Sequence, residues 1–172
     1  MELNEFFNYK NRLMEDICTT EPIVKLLTGK EHPVIPATNL IYKQIFPYEF
    51  LPDTEDKAKS FICFDADITE VGKTIYMPVL YIWVFCHKSS LRIPSGGVLP
   101  DELAKEINKK INGSRLYGLG ALDLYGVHRF SPADDFLGRV LTYKATDWYK
   151  GRNYKHPIPA KREIEDQRFE FI

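Results

Sequence analysis

The sequence is poor in cysteine, and its few cysteines lack the spacing of a metal-binding or redox motif. Cys18, Cys63 and Cys86 are the three thiols in 172 residues. An odd number without a CxxC pair favours neither a disulfide framework nor a Cys-rich zinc site. Because Cys63 and Cys86 lie inside apolar runs, we expect three reduced thiols that pack as small hydrophobic side chains.

The sequence also lacks an excess of charge and a long hydrophobic run. It has 23 Lys and Arg against 24 Asp and Glu, a formal net charge of −1, whereas a dedicated nucleic-acid-binding protein usually has a basic excess. The longest apolar run, residues 77–86, is about half of the ~20 residues that a membrane-spanning helix needs. The charged, amphipathic first residues do not resemble a signal peptide. We therefore expect a soluble protein that is made in the cytoplasm and has no membrane partner.

Motifs of common enzyme classes are missing as well. The sequence has no P-loop, HExxH or GxSxG motif, and Gly118 and Gly120 precede a predicted strand rather than a helix, unlike a dinucleotide-binding turn. Cys86 and His87 are adjacent in a predicted strand, so their side chains point to opposite faces and do not form a nucleophile–base pair. We expect no catalytic set and no cofactor.

One acidic cluster leaves an enzymatic alternative open. Asp65, Asp67 and Glu70 follow an apolar strand, and Asp65 and Asp67 fall on the same face of that strand. Carboxylates in such an arrangement can bind a divalent cation, which would suit a metal-dependent hydrolase. Carboxylates at the solvent end of a strand are more often simply solvated.

The pattern of apolar residues predicts one α+β domain over residues 1–148, because the length fits a single domain. The predicted elements are helices at 3–18, 20–29 and 100–112, and strands at 60–69, 74–87, 119–130 and 138–148. We expect a mainly antiparallel sheet flanked by helices. Residues 80–85 are apolar on both faces, which predicts a central strand covered on both sides. Pro78 indicates a bulge or the start of that strand.

Residues 149–172 differ from the rest and are predicted to form an extended arm. The arm begins with a basic stretch and ends with acidic and aromatic residues. The bases that we expect to contact a partner are Lys150, Arg152, Lys155, Lys161 and Arg162. The basic stretch also allows a salt-dependent contact with nucleic acid.

Charge is unevenly divided along the chain, with −6 over residues 1–70 and +5 over residues 71–172. A chain with an acidic and a basic part can assemble head-to-tail, because different surfaces then meet. Within the domain, the candidate interface residues are Arg92, Arg115, Arg129, Asp134, Asp135 and Arg139. Arginine is enriched at interfaces, although ordinary surface use is the commoner reason for such residues.

An ordered set of short segments resembles a known family. The segments are IYKQIFPY at 41–48, PDT at 52–54, AKSFICF at 58–64, INGS at 111–114, GLG at 118–120, RFSP at 129–132 and GRVL at 138–141. In this order they resemble small proteins encoded among the head–tail connection genes of tailed bacteriophages, in particular the tail-terminator-like family. Two features depart from that family: the Gly-rich loop at 91–97 and the length of the arm.

The resemblance implies a structural role in the virion. Tail-terminator-like proteins form a ring, usually hexameric, that terminates the tail tube and joins it to the head connector. The implied partners are further copies of the chain and other neck and tail-tube proteins, and DNA only as it passes through the ring lumen. A head-completion or stopper protein of the same neck is the alternative. The resemblance supplies no catalytic residue, metal site or cofactor.

Overall fold

A computed structural model of the chain describes residues 8–52, 59–71, 75–94, 96–145 and 149–150, with only the backbone described at 69–71, 75–76 and 149–150. The helices are α1 (Tyr9–Thr19), α2 (Glu21–Thr28) and α3 (Leu99–Ile111), with short 3-10 turns at Thr38–Leu40 and Lys88–Ser90. The strands are β1 (Ile45–Phe46), β2 (Ser60–Val71), β3 (Ile75–His87), β4 (Leu122–Phe130), β5 (Phe136–Ala145) and β6 (Tyr149–Lys150).

The strands form one sheet in the order β1-β2-β3-β5-β4, and β6 pairs with β3 next to the end of β5. β1 is parallel to β2, and the other pairs are antiparallel. This confirms the predicted α+β fold with a mainly antiparallel sheet and flanking helices. β3 is the central strand, as its apolar sequence predicts.

The helices cover one face of the sheet. Leu80, Ile82, Val84 and Cys86 alternate along β3 and are fully buried on this face, because successive side chains of a strand point to opposite sides. They share a core with apolar residues of all three helices. Those helix residues include Leu13, Ile17, Ile23, Val24, Leu103 and Ile107.

An aromatic cluster covers one end of the opposite face. The buried members of this cluster are Phe46, Phe61, Cys63, Phe85 and Phe136, with Phe50, Trp83 and Phe130 packed against them. Tyr81 and Trp83 stack with ring centroids 5.9 Å apart and are only partly buried. Phe85 at one end of this face and Val79 towards the other are buried. The prediction that β3 is covered on both sides is therefore confirmed at these two residues, and Tyr81 and Trp83 between them are covered in part.

The ends of α2 and α3 agree with their local sequence signals. Pro22 lies in the first turn of α2, and Gly29 ends the helix with a φ of 66°, a left-handed conformation that glycine adopts without strain. Gly113 follows α3 with a φ of 76°. Lys109 and Lys110 lie in the last turn of α3, where positive charge is favoured by the helix dipole.

Other boundaries differ from the prediction. Helix α1 is described from Tyr9, and its predicted start at residue 3 lies outside the described residues. β4 begins at Leu122 rather than at residue 119, because residues 112–121 form turns with left-handed backbone at Gly118 and Gly120. Pro78 lies inside β3, opposite Ile68, where pairing with β5 has not yet begun. It therefore does not start the strand.

Part of the predicted arm joins the sheet. Tyr149 and Lys150 form β6 and pair with Tyr76 and Ile75, and residues 151–172 lie outside the described residues. The division at residue 148 therefore stays a prediction. Among the residues that are described, no helix is long and apolar enough to cross a membrane.

Replacing Gly138 by alanine should destabilise the fold, because β3 and β5 approach closely there. A Cβ at Gly138 would lie 2.1 Å from the carbonyl oxygen of Val84 and 2.5 Å from Cβ of Phe85, so the two strands must separate. We expect a loss of about 2–3 kcal/mol in the free energy of unfolding, measured by chemical denaturation. The matched control is Gly126→Ala on β4, where the added Cβ meets only the His128 ring, at 2.9 Å. Equal losses in both variants would contradict the close approach.

Candidate subunit interface

The turn between β4 and β5 is anchored to the body at one end of the sheet. The Ser131 hydroxyl donates to the carbonyl oxygen of Phe136 at 2.8 Å. The backbone N–H of Lys88 donates to the carbonyl oxygen of Asp135, also at 2.8 Å. This turn is thereby held against the segment that follows β3. We call this region, residues 87–94, 99–101 and 129–139, the hairpin end.

Most of the described candidate interface residues lie at the hairpin end. They are Arg92, Arg129, Asp134, Asp135 and Arg139. Arg115 lies at the opposite end of the sheet, in the turns at 112–121 that precede β4. Lys150 pairs with Ile75 at the start of β3, also at that end. We call this second region, residues 112–121 and 149–150, the turn end. The candidates Arg152, Lys155, Lys161 and Arg162 lie outside the described residues.

Arg139 has an internal partner. Its Nε donates to Oδ1 of Asp101 at 2.6 Å, and its Nη2 lies 3.4 Å from Oδ2. The hydrogen bond and the charge of Asp101 raise the pKa of Arg139. Because Asp101 lies in the first turn of α3, the pair ties this helix to β5. Sequence reasoning missed this role, since the two residues are 38 positions apart.

Arg129 lies directly opposite Arg139 in the β4–β5 register and is exposed. Like charges opposite each other destabilise a strand pair unless something balances them. Asp101 balances Arg139 only. Arg129 therefore presents a positive charge at the hairpin end, next to the exposed carboxylates of Asp134 and Asp135. Both signs of charge are available there to a partner.

A cleft of about 650 Å³ lies beside these charges. Four parts of the chain meet there: the end of α2, the start of β2, the segment after β3 and the start of α3. The lining residues are Lys25, Leu26, Leu27, Thr28, Gly29, Glu31, Ser60, Ser90, Arg92, Ile93, Pro94 and Leu99. No single stretch of sequence contains this set, so it could not be recognised before the helices were placed.

The floor of the cleft is held by hydrogen bonds between α2 and the sheet. Nε2 of Gln44 donates to the carbonyl oxygens of Leu27 and Ser60, at 3.1 and 2.9 Å. The Ser60 hydroxyl also donates to Leu27, at 3.3 Å. Buried polar groups that are paired in this way fix the local geometry. The shape of the cleft is therefore set by the fold.

Of the acidic residues considered for metal binding, Asp65 makes contacts within the fold. Oδ1 of Asp65 accepts a hydrogen bond from the Tyr9 hydroxyl at 2.8 Å and lies 3.0 Å from Nζ of Lys10. These contacts join β2 to α1. Asp67 is exposed, and the side chain of Glu70 lies outside the described ones. Among the described side chains, no group of three His, Cys, Asp or Glu residues could hold a metal ion.

The cysteines are core residues, as predicted. All three are buried and free, and burial raises the pKa of Cys63 and Cys86 to about 12. Thiols with such pKa values are poor nucleophiles near neutral pH. The ring of His87 contacts the Ser89 hydroxyl, with Nδ1 and Oγ 2.7 Å apart.

The YomW family model matches residues 20–145. The chain belongs to the YomW family. Membership of this family suggests a phage-derived protein, which supports the phage origin that the resemblance implies. The YomW match includes the cleft and the hairpin end, and it stops before β6. No curated protein matches the chain.

Asp65→Asn should destabilise the protein in a pH-dependent way. Burial alone would raise the pKa of Asp65, but hydrogen bonds from Lys10 and Tyr9 outweigh it, so that the pKa is lowered. A carboxyl group with a lowered pKa stabilises the fold above its unfolded value of about 3.9, and this contribution is lost as the pH falls through the folded pKa. Because the side chain is 47% exposed, we expect a modest loss of about 1 kcal/mol at pH 7.

The measurement is urea denaturation of wild type and variant at several pH values. The difference in unfolding free energy should be constant from about pH 7 to pH 5 and should shrink below about pH 4. Asp67→Asn, which changes an exposed carboxylate on the same strand, is the control and should have little effect. A difference that stays undiminished at the acid end would contradict the role assigned to Asp65.

Proposed function

We propose that the protein is a structural component of the phage neck. It forms a ring, hexameric as in tail-terminator-like proteins, that terminates the tail tube and joins it to the head connector. This proposal combines the phage-type family with the resemblance to head–tail connection proteins. It assigns no catalytic activity and no cofactor to the chain. Its site of action is the virion, after synthesis in the host cytoplasm.

The observation that carries the proposal is that the candidate interface residues fall at two distinct ends of the sheet. The hairpin end presents the exposed Arg92, Arg129, Asp134 and Asp135, whereas the turn end contains the half-buried Arg115 and the backbone of β6. A contact between two different surfaces of one chain is heterologous, and it closes into a ring when the rotation between copies allows it. The two ends supply such a pair of surfaces.

The geometry also suits contacts between tiers of a neck. The turn at 131–135 is exposed at its acidic residues and anchored at its base by Ser131. An anchored, charged turn can contact a partner without a large ordering cost. In this function the partners are other copies of the chain and the neighbouring neck and tail-tube proteins. A stopper protein of the same neck would use the same two ends with different neighbours.

A charge reversal at the hairpin end should weaken assembly without affecting folding. Asp134 is exposed, so Asp134→Lys should leave the melting temperature unchanged. Placing a like charge at a contact should lower the affinity between copies at least about tenfold. Light scattering and negative-stain imaging of the full chain, alone and with isolated tails, would measure the assembled fraction.

The matched control is Glu15→Lys, which makes the same charge change on the exposed surface of α1. It should assemble like wild type. Rings that form equally well with both variants would exclude the hairpin end as the contact. A protein that stays monomeric at high concentration and neither binds nor joins tails would refute the ring function.

A further inference from the structure

We propose that the cleft binds residues 163–172 of a neighbouring copy. The proposal rests on the ring function and specifies how one copy holds the next. The acidic and aromatic segment of one subunit would leave its turn end and enter the cleft beside the hairpin end of the following subunit. Three observations support this assignment: the charge of the cleft, the composition of the segment and the distance between the two ends.

The cleft is basic at its rim and apolar inside. Lys25 and Arg92 outnumber Glu31 among its charged lining residues, and Leu26, Ile93 and Leu99 supply apolar surface. Within the described part of the chain, Arg92 is exposed and takes part in none of the ion pairs. Lys25 and Glu31 are 4.0 Å apart, the limit for an ion pair. Arg92 is therefore open to an acidic ligand, and the contact of Lys25 with Glu31 is a long one.

Residues 163–172 have the complementary composition. Their sequence is EIEDQRFEFI, with four acidic residues, one arginine and a net charge of −3. The segment also contains Ile164, Phe169, Phe171 and Ile172, which are suited to an apolar pocket. A cleft of about 650 Å³ falls in the size range of pockets that enclose a ligand, roughly 300–1,000 Å³. It offers room for apolar side chains of the segment, while the carboxylates meet the rim.

The distance between the two ends favours a neighbouring copy. β3 has 13 residues and runs from the turn end to the hairpin end, a length of about 40 Å at roughly 3.3 Å per residue. Lys150 pairs with the first residue of β3. Residues 151–162 also span about 40 Å when fully extended, so placing the whole segment 163–172 in the cleft of the same chain would require a nearly straight connection. A neighbour whose hairpin end adjoins the turn end needs a much shorter path.

Engineered cross-linking of the full chain tests the proposal. Pro94→Cys places a thiol at the exposed rim of the cleft, and Gln167→Cys places one in the segment. The native thiols are buried and have raised pKa values, so mild oxidation should join the engineered pair selectively. If the segment binds in the cleft of a neighbouring copy, covalent dimers and higher multimers appear on a denaturing gel. The control pair, Glu15→Cys with Gln167→Cys, should give at least about tenfold fewer multimers.

Charge exchange gives a second, independent measurement. In the background of the cysteine pair, Arg92→Glu should lower the yield of multimers at least about tenfold, because it places like charges together. Adding Glu165→Arg to that variant should restore most of the yield. Raising the salt concentration should lower the yield of the starting pair, since exposed charges are screened. A yield that is insensitive to Arg92→Glu would overturn the assignment to this cleft.

The outcomes separate this inference from the ring function. Rings seen by negative stain without a cross-link between the two engineered thiols (P94C and Q167C) would overturn the inference and leave the ring function intact. Cross-linked monomers with altered mobility would show that the segment binds its own chain, which also overturns it. Absence of any assembly, alone or with tails, would refute the ring function and the inference together.

Discussion

The structure depends on the alternation of side chains along β3. Leu80, Ile82, Val84 and Cys86 of this strand are fully buried under the three helices. The burial of large aliphatic side chains supplies a major part of the stability of a domain. The odd-numbered side chains point to the other face, where aromatic rings cover Phe85 and Val79 is also buried. Because β2 and β5 pair with β3 in fixed registers, this one strand also fixes the positions of the hairpin end and of the cleft.

Local sequence signals were sufficient for most of the elements. These signals act over a few residues, and each predicts an element that the structure contains. They are the alternation of side chains after Ser60, the proline at the start of α2, and the glycines after α2 and α3. Long-range features could not be predicted in the same way. The Asp101–Arg139 pair and the cleft depend on which helix packs on which strand, and the turns before β4 replaced part of a predicted strand.

The acidic and basic parts of the sequence do not form separate acidic and basic surfaces in the described part of the fold. The hairpin end contains residues of both signs, and the acidic first part of the sequence contributes Asp65 to an internal contact with α1 rather than to a surface. Similarly, Arg139 is paired within the chain. The sequence indicated which types of residue suit an interface. Which of those residues are available to a partner followed only from their neighbours in the fold.

The hydrogen bond from Lys88 to the carbonyl oxygen of Asp135 links two surfaces that are otherwise far apart in the sequence. The segment that begins at Lys88 continues to Ser90, Arg92 and Pro94, which form one wall of the cleft. The tip of the β4–β5 turn and this wall therefore belong to one mechanical unit. In the proposed ring, a neighbour at the tip and a segment in the cleft would contact two parts of one connected surface.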